Sequence, residues 1–432
     1  MAQLVPFLQF FDTVLPGAGT VWLDQLLCDA QSAYRTSGLP TPRTEAWKYT
    51  NLRRLAHTGF VAAEASQSSE IATIPKGAAA LSDAYIAVFV NGRYSPTLSS
   101  FNGLPKGVEV TSLASKLSVD KTSLEGKFGD MEGLPLAILN TGLLSDGLYL
   151  KLDDEVVLDK PLHLVSVGHA DSEPVSFHPR HLIVVGVGSV ATIVESHVGD
   201  GTYFSNSVNE ISVGDGAVLN HYKLQNDGSE AYHLAANLVR NGDRAVYDSF
   251  VLQVGGKLAR NEVRTELGER VECRLNGAYL GRGEQHIDNT TFVDHAAPNS
   301  SSREVYKGVL DESARGVFQG KILVRLDSQK TDGHQLNKTL LLSQGTEIDS
   351  KPELEIYADD VKCTHGATVG ELDKDSLFYL RARGIDRETA QSLLIYAFAS
   401  DVVSSIRTPN LREAAQKLLF ERLPSEFTPE EL

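Results

Sequence analysis

The 432-residue chain contains no C-x-x-C pair. Its three cysteines, Cys28, Cys273 and Cys363, are odd in number and far apart. That excludes a disulfide framework, argues against a pre-formed zinc or permanent cluster cage, and points to a reducing cytosol. No stretch approaches the roughly 20 unbroken apolar residues of a membrane span. The start, M-A-Q-L-V-P-F-L-Q-F-F-D, has neither a basic n-region nor a small-residue cleavage site, so no secretory signal is expected. Basic residues are outnumbered: 40 Lys and Arg against 56 Asp and Glu give a formal net charge of −16. Nucleic acid and anionic membranes both call for clustered cations, so neither is expected as a partner. There is no G-x-S-x-G elbow and no H-E-x-x-H helix.

What is present is an ordinary soluble composition, 42% apolar and 22% charged, long enough for two or three cores. Residues 1–80 read as a helical region, with Leu23, Leu26, Leu27 and Ala30 at helical spacing and Pro40 and Pro42 as breakers. Ala62 to Ser69 reads as a linker. Residues 81–146 read as a mixed α/β lead-in, in which Tyr85 to Val90 is β-rich, Asn91-Gly92 marks a tight turn and Leu113 to Leu124 holds a short helix. From 147 to 370 short runs rich in Val, Ile, Thr and Tyr alternate with Gly, Asp and Asn turns, such as Gly186-Val-Gly188 and Gly214-Asp-Gly216. So many strands must close, split or stack. A parallel β-helix buries one continuous core and removes all but the terminal edges; a pair of stacked β-sandwiches is the alternative. Residues 371–432 return to helix, with Asp373 or Asp375 and Asp386 as caps, Thr408-Pro409 opening a third helix and Pro424 closing it. The second of these helices, Arg387 to Ile406, is apolar over much of its circumference and must be covered by its neighbours or by a partner protein.

Two letter patterns fail on context. Gly186-Val-Gly188-Ser-Val-Ala191 fits the dinucleotide fingerprint but runs into β-prone Thr-Ile-Val-Glu instead of a helix. Gly316-Val-Phe-Gln-Gly320-Lys321-Ile322 looks like a phosphate loop, yet its first glycine is one residue too close and Ile322 stands where a Mg²⁺-ligating hydroxyl belongs. The histidines of the β region, among them His163, His178, His181, His197, His221, His233, His286 and His295, are expected mostly at the surface or in turns.

The segment K-P-E-L-E-I-Y-A-D-D-V-K-C-T-H-G-A-T-V-G, Lys351 to Gly370, resembles a signature of the SufB/SufD family of iron–sulfur cluster assembly proteins. So do R-T-E-A-W-K-Y-T-N-L (Arg43 to Leu52), L-N-T-G-L-L-S-D-G-L-Y-L (Leu139 to Leu150), S-A-R-G-V-F-Q-G-K-I (Ser313 to Ile322) and D-S-Q-K-T-D-G-H-Q-L-N-K-T-L-L-L-S (Asp327 to Ser343). Trp47-Lys48-Tyr49 and Cys363-Thr364-His365 place the resemblance on the SufD side of the family. His334 departs from it, standing where an aromatic is expected.

The resemblance implies a helical N-terminal region, a right-handed β-helix and a C-terminal helical domain. It implies a non-catalytic scaffold that pairs with a SufB-like protein through the β-helix and docks a SufC-like ABC-type ATPase through residues 371–432. Sulfur would arrive indirectly, from a cysteine desulfurase system. No cofactor would be held permanently; iron or a nascent cluster would sit transiently at the interface, and a flavin's participation is left open. The residues themselves add a geometric argument. In a strand, i and i+2 face the same side, so Cys363 and His365 project together. Thiolate and imidazole both suit iron, and two ligands are half a tetrahedral site, the rest falling to another chain. The resemblance favours His365 as a transient iron ligand, with Cys363 as a neighbour that could equally be a small buried hydrophobe. Two rival functions remain at this point: a β-helix enzyme acting on polysaccharide, disfavoured by only 7% aromatic residues, and a stand-alone metal-binding protein.

Overall fold

The computed structural model of the chain describes residues 5–12, 19–64, 71–81, 83–128, 131 and 133–423. Most of the linker expected at Ala62 to Ser69, and Pro424, lie outside the described residues. The chain begins with helices α1 (Val21–Ser37) and α2 (Arg53–His57), then strands β1 (Val61–Ala62), β2 (Tyr85–Val90), β3 (Arg93–Tyr94) and β4 (Val108–Ser112). Helices α3 (Leu113–Val119) and α4 (Pro135–Gly142) follow. The strands then run uninterrupted by helix: β5 (Leu148–Leu152), β6 (Leu162–His169), β7 (Val175–Phe177), β8 (Arg180–Val185), β9 (Val190–Asp200), β10 (Tyr203–Val213), β11 (Val218–Asn226), β12 (Tyr232–Asn241) and β13 (Val246–Gln253). They continue as β14 (Leu258–Leu267), β15 (Glu272–Gly281), β16 (His286–His295), β17 (Ser301–Leu310), β18 (Arg315–Val324), β19 (Asp332–Leu341), β20 (Glu347–Ile356) and β21 (Lys362–Gly370). Helices α5 (Lys374–Ala382), α6 (Arg387–Val403) and α7 (Pro409–Phe420) close the described chain.

Successive strands alternate between two sheets, and from β8 and β9 onward each pairs in parallel with the strand two places later. This is a β-solenoid of about eight turns, which settles the β-helix against the sandwiches. The lead-in joins it: β2 pairs with β6 and β4 with β5. One corner of the coil repeats a left-handed residue, first Gly188 and Gly216, then Arg244, Arg270 and Lys330. The glycine punctuation seen in the sequence fades along the chain because the same turn is filled there by longer side chains, at about 1–2 kcal/mol each.

The lumen has an apolar half, including Ile193, Leu219, Tyr247, Leu275, Ile211, Val263, Val293 and Ile322. Its other half is polar. Glu195 accepts hydrogen bonds from His197 Nε2 (2.7 Å), His221 Nε2 (2.5 Å) and Asn209 Nδ2 (2.8 Å), with Lys223 Nζ 3.5 Å away. The expectation that the histidines lie at the surface or in turns is overturned: His163, His178, His181, His197, His221, His233 and His295 are all buried. Strands in the middle of the solenoid, such as β10 and β12, are covered on both faces, so period-2 alternation there no longer separates inside from water. On one outer face α6 and α7 pack Ile395, Val402, Val403 and Leu411 over Tyr222, Leu224, Phe250 and Leu252. Much of the all-round apolar character of α6 is thus covered by the chain's own sheet.

The N-terminal region covers the other outer face through a buried charge network. The Arg260 guanidinium lies 4.1 Å from the Trp47 ring centroid and bonds Glu262 at 3.0 Å and Asp288, which also accepts from Thr50. Glu45 meets Lys351 at 2.5 Å. The Arg43 to Leu52 motif is therefore a clamp between the N-terminal region and the solenoid. Arg260→Met leaves Asp288 buried without its counter-charge and should cost about 3–5 kcal/mol. Trp47→Ala should cost a similar amount by leaving a cavity. Urea unfolding checks both; losses below about 1 kcal/mol would show that the clamp contributes little.

Candidate functional site

Strands β20 and β21 form the last coil, and among the described residues no strand pairs with its outer edges: each pairs only with β18 or β19. Where earlier coils are buried, residues of β20 and β21 are half-buried or exposed. The register Gly333↔Cys363 and Gln335↔His365 places both sequence-predicted site residues on the inner face, above the lumen. Same-face projection of Cys363 and His365 is therefore realised. Their environments differ. Cys363 packs half-buried against the apolar lumen, whereas His365 is exposed at its mouth. Burial pushes the Cys363 thiol above its ordinary value, which keeps it protonated and lowers its worth as a ligand.

Thr364, between them, points to the other face. Its hydroxyl lies 2.5 Å from His334 Nδ1, while His334 Nε2 is 2.9 Å from Asp332 and Arg303 bonds Asp332 at 2.7 Å. His334, the departure noted in the sequence, thus belongs to a surface ion-pair cluster on the opposite side of the strand from His365. Among the described residues, no three His, Cys, Asp or Glu side chains are placed to hold one metal ion together.

Beneath the mouth lie residues that no local pattern singled out. Glu304 of β17 and Gln335 of β19 share the inward line that ends at His365. Glu304 Oε2 accepts from Thr291 Oγ1 at 2.5 Å and Oε1 from Gln335 Nε2 at 3.3 Å. Burial raises the Glu304 acid to about 7.

Compared with known proteins, residues 13–164 match the SufBD protein N-terminal region, and residues 167–398 match the SufBD core domain of SUF system FeS cluster assembly. The chain belongs to the SufBD family of iron–sulfur cluster assembly proteins. It is 34% identical over 430 residues to the iron–sulfur cluster assembly protein SufD of Escherichia coli K12, covering 96% of this chain and 97% of that one. An iron–sulfur cluster assembly SufBD family protein of Synechocystis is 32% identical, over 87% of this chain and 85% of its own. The SufD of Bacillus subtilis is 28% identical over 63% of each. The SufBD core match reaches from β6 into α6, so it takes in β21, the strand that bears Cys363 and His365. Among the described residues no helix is long and apolar enough to cross a membrane.

Proposed function

We propose that this chain is the SufD-type scaffold subunit of a cytosolic cluster-assembly complex. It pairs through its open last coil with a SufB-like protein and holds a SufC-like ABC-type ATPase on residues 371–432. The observation that carries the reading is the uncapped end of the solenoid, which bears His365 at its mouth. Exposed strand edges invite another chain to continue the sheet, and a second solenoid end supplies two such strands at once. His365 then helps receive iron or hold the nascent cluster at the junction, with further ligands from the partner. Iron and sulfide are cargo here, the sulfide arriving by way of a cysteine desulfurase system. This subunit is non-catalytic, keeps no permanent cofactor and leaves ATP turnover to the ATPase; the reading does not require a flavin.

The surface that supports ATPase docking is α5 rather than α6. Helix α5 has no buried residue, and Phe378 and Tyr379 are 74% and 56% exposed, with the Arg383 guanidinium 4.5 Å from the Tyr379 ring centroid. Exposed aromatics beside an arginine have the composition of an interface hot spot. Tagged protein purified from native lysate should carry both partners. The double variant Phe378→Ala, Tyr379→Ala should lose ATPase affinity by on the order of 30-fold while keeping the SufB-like partner. Point changes are the cleaner test, because removing residues 371–432 would also uncover Tyr222 and Phe250. Undiminished ATPase binding by the double variant would place the docking surface elsewhere, and a full-length chain that recovers no SufB-like protein would refute the pairing.

A further inference from the structure

Parallel register stacks equivalent positions of successive coils directly above one another. Along one inward line this puts Glu304, Gln335 and His365 in order toward the open end. Glu304 and Gln335 are 1% and 2% exposed. The Gln335 amide is tied down on one side, its Nε2 donating to Glu304 Oε1 at 3.3 Å. Across the lumen it lies over Gly320 of β18, where a Cβ would come within 2.1 Å of Nε2 and 2.5 Å of Cδ. Gly320 therefore has to be glycine for this amide to lie here, which gives the phosphate-loop look-alike a structural reason. The remaining polar atom, Gln335 Oε1, is buried and has no hydrogen-bond partner. A buried carbonyl left unpaired costs about 1–3 kcal/mol, so it calls for a donor. The next inward side chain on its line is the imidazole of His365.

We propose that Gln335 is a positioning residue for His365: when the exposed ring turns in toward the lumen, the fixed Gln335 side-chain carbonyl, unpaired in this structure, accepts the N–H of one ring nitrogen and leaves the other nitrogen unprotonated at the mouth of the solenoid. This rests on the reading of His365 as an iron ligand. A ligating imidazole needs its second nitrogen held by an acceptor, which sets both tautomer and ring direction. Gln335 supplies a neutral acceptor that cannot rotate away, because Glu304 and the floor at Gly320 hold it.

The test is the tautomer of His365 in full-length protein labelled with ¹⁵N-histidine, its signal assigned by its loss in His365→Ala. The wild type should show one neutral tautomer. Gln335→Leu removes the acceptor and should give a mixture of both. Gly320→Ala displaces the amide and should do the same, whereas Gln335→Glu keeps an oxygen in place and should retain the single tautomer. Should Gln335→Leu fail to fold, Gly320→Ala and Gln335→Glu carry the comparison. In anaerobic titrations with Fe²⁺ alone, Gln335→Leu should weaken binding about 10- to 100-fold. An unchanged tautomer in Gln335→Leu or Gly320→Ala overturns the positioning role, even where His365→Ala still abolishes cluster formation. If the tautomer shifts as expected while His365→Ala assembles clusters normally, the positioning stands and the functional reading of His365 is what fails.

Discussion

Complexes reconstituted with His365→Ala should form clusters at least about 10-fold more slowly than wild type, with both partners still bound. The imidazole is exposed at the mouth of the last coil, so its loss opens no cavity, and the coil's pairing with β19 is made by backbone. On the proposed reading, what disappears is one nitrogen ligand at a site that shares its metal with another chain. Cys363→Ser should have a milder effect. The Cys363 thiol is half-buried and held above its ordinary pKa, so at neutral pH little thiolate is present to be lost. Cluster absorbance and bound iron in each reconstituted complex give the measurement. Wild-type assembly by His365→Ala in an intact complex would reduce His365 to a surface residue of the coil. A Cys363→Ser defect larger than that of His365→Ala would transfer the role to the thiol.

Acid should unfold this protein over an unusually high pH range. Burial holds His163, His197 and His295 down to about 4, and His178 and His181 to about 3. Unfolded histidine titrates near 6.5. Below that pH the unfolded chain takes up protons that the native chain refuses, so each group withdraws stability as pH falls from 6.5 toward 4. The amount is on the order of 3 kcal/mol per histidine by the bottom of that window. Glu195 is buried but held well below the usual carboxylate range, with Lys223, His197 and His221 outweighing the cost of its desolvation, and it acts in the same direction at lower pH. Glu304 opposes them. Raised to about 7, it is protonated in the native state while the unfolded carboxyl ionises above about 4.5. Its contribution is therefore lost as pH rises from 4.5 to 7. Burial also raises the Asp146, Asp248 and Asp349 acids, which act in the same sense as Glu304, yet these carboxyls do not offset five histidines, and a margin of about 5–15 kcal/mol is soon exhausted. The urea midpoint should drop steeply between pH 6.5 and 5. A level midpoint across that range would mean that protons reach the buried histidines without unfolding.

Much of this architecture was legible in the chain because its signals are local. Asp373 and Asp386 accept from Ser376 N and Thr389 N as N-caps, at 2.6 and 3.0 Å, where the sequence placed them. Asn91-Gly92 makes the left-handed turn between β2 and β3. The same-face relation of Cys363 and His365 needs only that the segment be extended. The buried histidines were illegible for the opposite reason. Whether an alternating strand shows a face to water depends on what packs against it, and both outer faces of the solenoid are covered by segments distant in sequence.

The line from Glu304 through Gln335 to His365 shows where sequence stops. The spacing of stacked positions varies, from 26 residues between Ser249 and Leu275 to 33 between Tyr149 and Leu182. No fixed period therefore marks which side chains meet. Local patterns were enough to stack short β-rich runs into a solenoid between helical ends and to put His365 on one strand face with Cys363. It took the folded coil to show that this strand is its last one, that Cys363 is drawn toward the core while His365 is not, and that the buried Gln335 is the register partner of His365. Alternation and capping act within a few residues of the chain, whereas register and covering come from segments dozens to hundreds of residues away.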